Sequence, residues 1–187
     1  MKVELGIIKE ILKGCDKDCL VSDSTNHFYG LWRVKHLSVM PKAGRLPMFF
    51  YGFIVSGEIE IEVDLKPYTF RPGNILRLRP GQVMQVKNVS EDFCCSLFFF
   101  DKRVVGEMIS GIQVPLVTTS PLLPTSEALR NSLSVYLSII FEKMEMMRKD
   151  NSPYLGKIVE QVVKAMLCEI FFEISKGRED KTIQTNR

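Results

Sequence analysis

The chain has 187 residues, carries 25 Lys and Arg against 22 Asp and Glu, and is 45% hydrophobic. This is the composition of a globular chain of one domain, or of two small ones, with apolar content enough for a core, and it excludes a disordered tract, a collagen-like repeat and a disulfide-dense secreted scaffold. A net charge of +3 without concentrated Lys/Arg runs is also too weak for a surface that grips nucleic acid by itself.

In chain order, residues 1–14 predict a short helix, because Val3, Ile7, Ile8, Ile11 and Leu12 share one helical face and Gly14 can end it. Strand candidates follow. His27 to Val34 is aromatic and β-branched, and Met48 to Val55 is apolar on both faces, as in a closed or double-layered sheet. Ser56-Gly57 turns the chain into a segment where Glu58, Glu60 and Glu62 alternate with Ile59, Ile61 and Val63, one face wet and one buried. Asp64 to Pro67 predicts the next turn, leading to Tyr68, Thr69 and Phe70. Pro72-Gly73-Asn74 and Pro80-Gly81 then bracket Ile75 to Leu78, ahead of Gln82 to Val86 and Cys94 to Phe100. Six or more short strands divided by Gly/Pro/Asn turns predict an antiparallel sandwich or barrel. Asp101 can cap a short helix through Ile109.

The second half has a helical period. Pro124-Thr125-Ser126-Glu127 opens a helix with apolar Leu129, Leu133, Tyr136, Leu137, Ile140 and Met144. Ser152 and Pro153 then supply the N-cap and first position of another. Its apolar stripe runs from Leu155 to Ile174 and predicts an end at Lys176-Gly177, followed by a polar tail.

Motifs for chemistry are scarce. There are two histidines, His27 and His36, where a catalytic metal centre usually takes three protein ligands. No nucleophile elbow, phosphate-binding loop or dinucleotide fingerprint occurs. Five cysteines, Cys15, Cys19, Cys94, Cys95 and Cys168, form an odd set that predicts thiols in a reducing cytoplasm. No stretch approaches a membrane span, and the charges in MKVELGIIKEILKG interrupt any signal-peptide core. The expectation is a cytoplasmic protein without a membrane partner, in which no motif nominates a cofactor site or the residues of an enzyme.

Residues 68–88 carry more information. Gly73-Asn74 before a strand, then Pro80-Gly81, resemble the second motif of the cupin family, with Met84 near the place where a metal-binding cupin carries histidine. A thioether does not replace imidazole for a hard or borderline divalent metal, so the resemblance implies a cupin without metal. From Ile54 to Phe100, the runs VSGEIEIEV, LKPYTFRPGN, RPGQVMQV and NVSEDF resemble the N-terminal domain of AraC-family transcriptional regulators, in the version common in Bacteroides-like bacteria. Asp101 to Ser110 and Ser152-Pro153-Tyr154 are similar to the short helix and hairpin that follow it.

That resemblance implies a fold that is mainly β with α, a cupin-like double-stranded β-helix (jelly-roll barrel) followed by a C-terminal α-helical hairpin. The expected divisions are a barrel over 1–115, a dimerising hairpin over 116–177, and a tail over 178–187 leading to a helix-turn-helix domain outside this chain. It further implies a small-molecule effector in the barrel, polar or anionic, and a homodimer that meets DNA through that further domain alone. The candidate ligand residues are Arg33, His36, Phe50, Arg77, Met84 and Phe98. The plainer alternative is the solvent face for each arginine and the core for the two phenylalanines. Val159, Val162, Met166 and Phe171 are the candidate dimer contacts. Two other readings stand beside this one: a stand-alone cupin enzyme, isomerase or metal-dependent oxygenase, and a structural dimerisation module with a filled barrel.

Overall fold

The computed structural model describes residues 20–24, 27–34, 42–100, 120–150 and 152–185. The helices expected before Gly14 and after Asp101, together with His36, Cys15 and Cys19, lie outside them. Ten strands lead into two helices: β1 (Leu20–Ser24), β2 (His27–Val34), β3 (Gly44–Arg45), β4 (Phe49–Ser56), β5 (Ile59–Val63), β6 (Lys66–Phe70), β7 (Asn74–Leu78), β8 (Val83–Val89), β9 (Cys94–Phe100), β10 (Leu122–Pro124), α1 (Glu127–Lys149) and α2 (Pro153–Thr185).

The strands form two sheets, one of six in the order β1-β2-β9-β4-β7-β10 and one of four in the order β3-β8-β5-β6. From β2 to β9 the chain alternates between the sheets, except at the β5–β6 hairpin. This alternation is the winding of a double-stranded β-helix, a jelly roll whose two inner faces make one core.

Side-chain alternation decides what each face receives. In β5, Ile59, Ile61 and Val63 are buried, while the glutamates between them are partly exposed. β4 is buried on both faces, as its apolar run predicts. Phe50, Ile54, Ile61, Phe70, Val86 and Phe99 belong to the inter-sheet core. Pro67 lies in β6, an edge strand, where its missing N–H costs no ladder bond.

Two turns depend on unusual backbone angles. Gly57 has φ +67°, and a Cβ there would run into Ser90 Oγ and stand 2.8 Å from the Phe93 Cα. The β5–β6 connection is the two-residue turn Asp64-Leu65, with φ values of 49° and 67° at residues other than glycine. It is tighter than the four-residue turn the sequence predicts, so β6 starts at Lys66. Asp64 is secured by its carboxylate, which accepts from the Val83 N–H at 2.9 Å and from Gln82 Nε2 at 3.0 Å.

The helices form a separate compact unit from Thr125 onward, whereas Ser120–Pro124 group with the barrel. Ser126 caps α1, its hydroxyl accepting from the Leu129 N–H at 3.2 Å. Leu129, Leu133, Ile140 and Met144 of α1 and Leu155, Val159, Val163, Met166 and Ile170 of α2 are buried. Tyr136 donates to Glu169 Oε1 across the pair at 3.0 Å. α2 does not end at Gly177 but continues to Thr185. An interior glycine costs a helix about 1 kcal/mol, and the Arg, Glu and Lys that follow are good helix formers. Strands β1, β3 and β10 were not evident from the sequence, being short or without clear alternation.

Candidate functional site: the barrel faces and the outer side of α2

Two of the ligand candidates reach the barrel interior. Phe50 and Met84 line an apolar cavity of about 30 Å³ together with Ile54, Ile59 and Leu97. A pocket for a small organic ligand needs about 300–1,000 Å³. Among the described residues this part of the interior is therefore packed core, with room for little more than a water that its apolar walls would not hold.

Arg77 and Phe98 do not line that interior. The ladder pairs Phe50 with Leu78 and Phe99, whereas Tyr51 pairs with Arg77 and Phe98. Residues paired across a ladder share a face, and neighbours along a strand take opposite ones. Arg77 and Phe98 thus stand on the reverse of the six-stranded sheet from Phe50. Arg33 pairs with Ser96, a register position on that same reverse face. Nor does Arg77 sit on the solvent face, since its exposure is 4%.

This reverse face is aromatic and buried. The Phe100 ring centroid lies 5.4 Å from those of Phe49 and Tyr51 and 5.1 Å from that of Phe98. Burial pushes the Tyr51 phenol up to about 12, against the opposing pull of the Arg77 guanidinium and of the hydrogen bond it donates to Tyr51. Tyr51 is consequently a neutral hydroxyl at physiological pH. Arg77 also donates from Nη2 to the Ser120 carbonyl at 3.3 Å.

A metal centre of the cupin kind does not fit the inward positions that are described. These are Phe, Ile, Leu, Met and Val with one Cys, and no group of three or more His, Cys, Asp or Glu able to hold a metal occurs among the described residues. Cys94 and Cys168 are free thiols.

The dimer candidates on α2 are shifted off the free side of the helix. Val159, Met166 and Phe171 are buried in the folded chain and Val162 is half-buried. The stripe that the sequence shows as one broad apolar band is two bands, and those residues belong to the inner one. Tyr154, Ile158, Gln161, Ala165, Cys168 and Phe172 are all exposed. Their spacing alternates four and three residues, the period that keeps one seam facing a partner helix. Phe172 stays 59% exposed although Lys176 Nζ lies 4.3 Å from its ring centroid. That 3.5-residue spacing was present in the sequence, but the stronger inner stripe beside it obscured it. Among the described residues, no helix is long and apolar enough to cross a membrane.

No family model and no curated protein matches the chain. Among solved structures, apo ToxT K231A from Vibrio cholerae, an AraC-family regulator, is 13% identical, with a TM-score of 0.50. That match covers 80% of this chain and 57% of the ToxT chain. An RmlC-like cupin family protein from Methanocaldococcus jannaschii is 17% identical over 45% of this chain and 80% of its own, with a TM-score of 0.35. DMSP lyase DddQ from Ruegeria pomeroyi is 17% identical over 45% of each chain, with a TM-score of 0.36. The fold is a cupin-like double-stranded β-helix followed by a helical pair. At these identities the likeness concerns fold alone.

Proposed function

We propose that this chain is the sensing and dimerisation part of an AraC-type transcriptional regulator, of the Bacteroides-like version, acting on DNA through a helix-turn-helix domain beyond it. The observation that carries this reading is the combination of a jelly roll and a helical pair in one order, a plan that ToxT shares over 80% of this chain. The closed apolar interior supports a barrel that serves as a rigid platform, and it gives no support to catalysis inside it.

The exposed seam of α2 is the dimer face in this proposal, with a second copy of the chain as its occupant. Intervals of four, three, four, three and four residues from Tyr154 to Phe172 read the same from either end. An antiparallel copy related by a two-fold axis would set Tyr154 across from the partner's Phe172 and Ile158 across from the partner's Cys168. Self-complementarity of this sort is what a two-fold interface requires. A polar or anionic effector then acts by shifting the population of dimer arrangements, and by no more than its differential affinity for them.

The test is the reading frame beyond the codon for Arg187. Continuation for about a hundred codons with two helix-turn-helix patterns is the expected result. An immediate stop codon would overturn the proposal in favour of a stand-alone cupin.

A further inference from the structure

Strand β10 has three residues, and it is the last piece of barrel before the helices. It pairs with β7 at Leu122↔Leu76, Leu123↔Ile75 and Pro124↔Asn74. The Arg77 N–H donates to the Pro121 carbonyl at 2.7 Å, and Arg77 Nη2 to the Ser120 carbonyl at 3.3 Å. Leu122 packs against the inter-sheet core from the edge. One barrel residue, Arg77, thus holds the start of this segment through both its main chain and its side chain.

The residues that follow this segment belong to the helical pair. The Ser126 N–H donates to Glu173 Oε1 of α2 at 3.3 Å, and Arg130 Nη1 donates to the Thr125 carbonyl at 2.7 Å. Only Thr125 separates the last strand residue, Pro124, from the N-cap of α1. A three-residue edge strand, with Leu122 and Leu123 only half-buried, is also the kind of element that opens below the global unfolding free energy, since it has few ladder bonds.

We infer that Ser120–Pro124 is a releasable strap, latched to β7 by Arg77 and packed against the core through Leu122, that opens while the jelly roll stays folded. Use of the strap as the signal route rests on the regulatory reading above, but the existence of docked and released states does not.

Amide hydrogen exchange of the full chain, followed by NMR without effector or DNA, tests the strap alone. The reporter is the Arg77 amide, whose acceptor is the strap carbonyl of Pro121. In the native chain it should exchange at least about tenfold faster than the best-protected amides of β9. Leu122→Ala should raise the Arg77 rate about tenfold further and leave β9 unchanged. Arg77→Met, which keeps the reporter amide and removes the guanidinium, should act in the same direction. Exchange of residue 77 and β9 at one common rate in the native chain, or an equal rise of both in either variant, would overturn the strap. A failed reading frame beyond Arg187 would instead remove only its regulatory use.

Discussion

The barrel and helix α2 both separate apolar from polar positions by a regular period, yet they dispose of their apolar sides differently. In the barrel, the inward residues of two sheets meet one another and close on a cavity of about 30 Å³. In α2, Leu155, Val159, Val163, Met166 and Ile170 are covered, while Tyr154, Ile158, Ala165 and Phe172 on the other side are exposed. A closed sheet pair satisfies itself, but a helix with apolar residues on two sides needs two partners. The uncovered side of α2, rather than the packed barrel core, is accordingly where the proposal places self-association.

That contrast can be broken most forcefully in the barrel. Phe50→Ala deletes a ring at 1% exposure from the inter-sheet core and should cost about 3–5 kcal/mol, read as a lower midpoint in chemical denaturation. A cost below about 1 kcal/mol would mean that the interior is looser than a packed core and could open for a ligand.

On the helix, Ile158→Glu or Phe172→Glu should weaken self-association at least tenfold, a change of about 1.4 kcal/mol, with the monomer's circular dichroism retained. Light scattering across a dilution series gives the particle mass. Val163→Glu, on the covered side of the same helix, should instead lower the melting temperature, and equal behaviour of the two sides would erase the distinction.

The beginning of α1 allows a finer measurement. Ser126→Ala removes the hydroxyl that accepts from the Leu129 N–H and should cost about 1 kcal/mol. The loss should appear in the unfolding midpoint without changing the protection of β9.

The smallest effect expected is electrostatic and sits at the β5–β6 turn. The Val83 N–H and the Gln82 side chain hold the Asp64 carboxyl below the usual carboxylate range. A carboxylate whose value is depressed by folding stabilises above its ordinary value of about 3.9, and that contribution is lost as pH falls through the depressed one. Asp64→Asn should accordingly flatten the decline in melting temperature below about pH 4. Because Asp64 is exposed, the change should be slight.

Most of the fold was legible because its signals are local. Alternation in residues 58–63, the Pro-Gly breaks at 72–73 and 80–81, and the Ser126 and Pro153 helix starts each depend on neighbours within a few residues. The observed limits of β2 and β9 agree with the predicted ones. The candidate site was far less legible. Arg77 and Phe98 were grouped with Phe50 as strand residues of suitable type. Which face each takes depends on a register set between strands more than twenty residues apart in sequence. On α2, Phe171 and Phe172 are equivalent by composition, and only the packed structure distinguishes the buried ring from the exposed one.

The sequence by itself determined a β-rich first half and a helical second half, because periodicity and turn chemistry are written in adjacent residues. Tertiary structure decided that the described core of the barrel is packed, that Arg77 is buried on the reverse of the six-stranded sheet, and that one side of α2 is left uncovered. Those outcomes follow from ladder register and from the volume left between sheets, and both are set by contacts between residues distant in the chain.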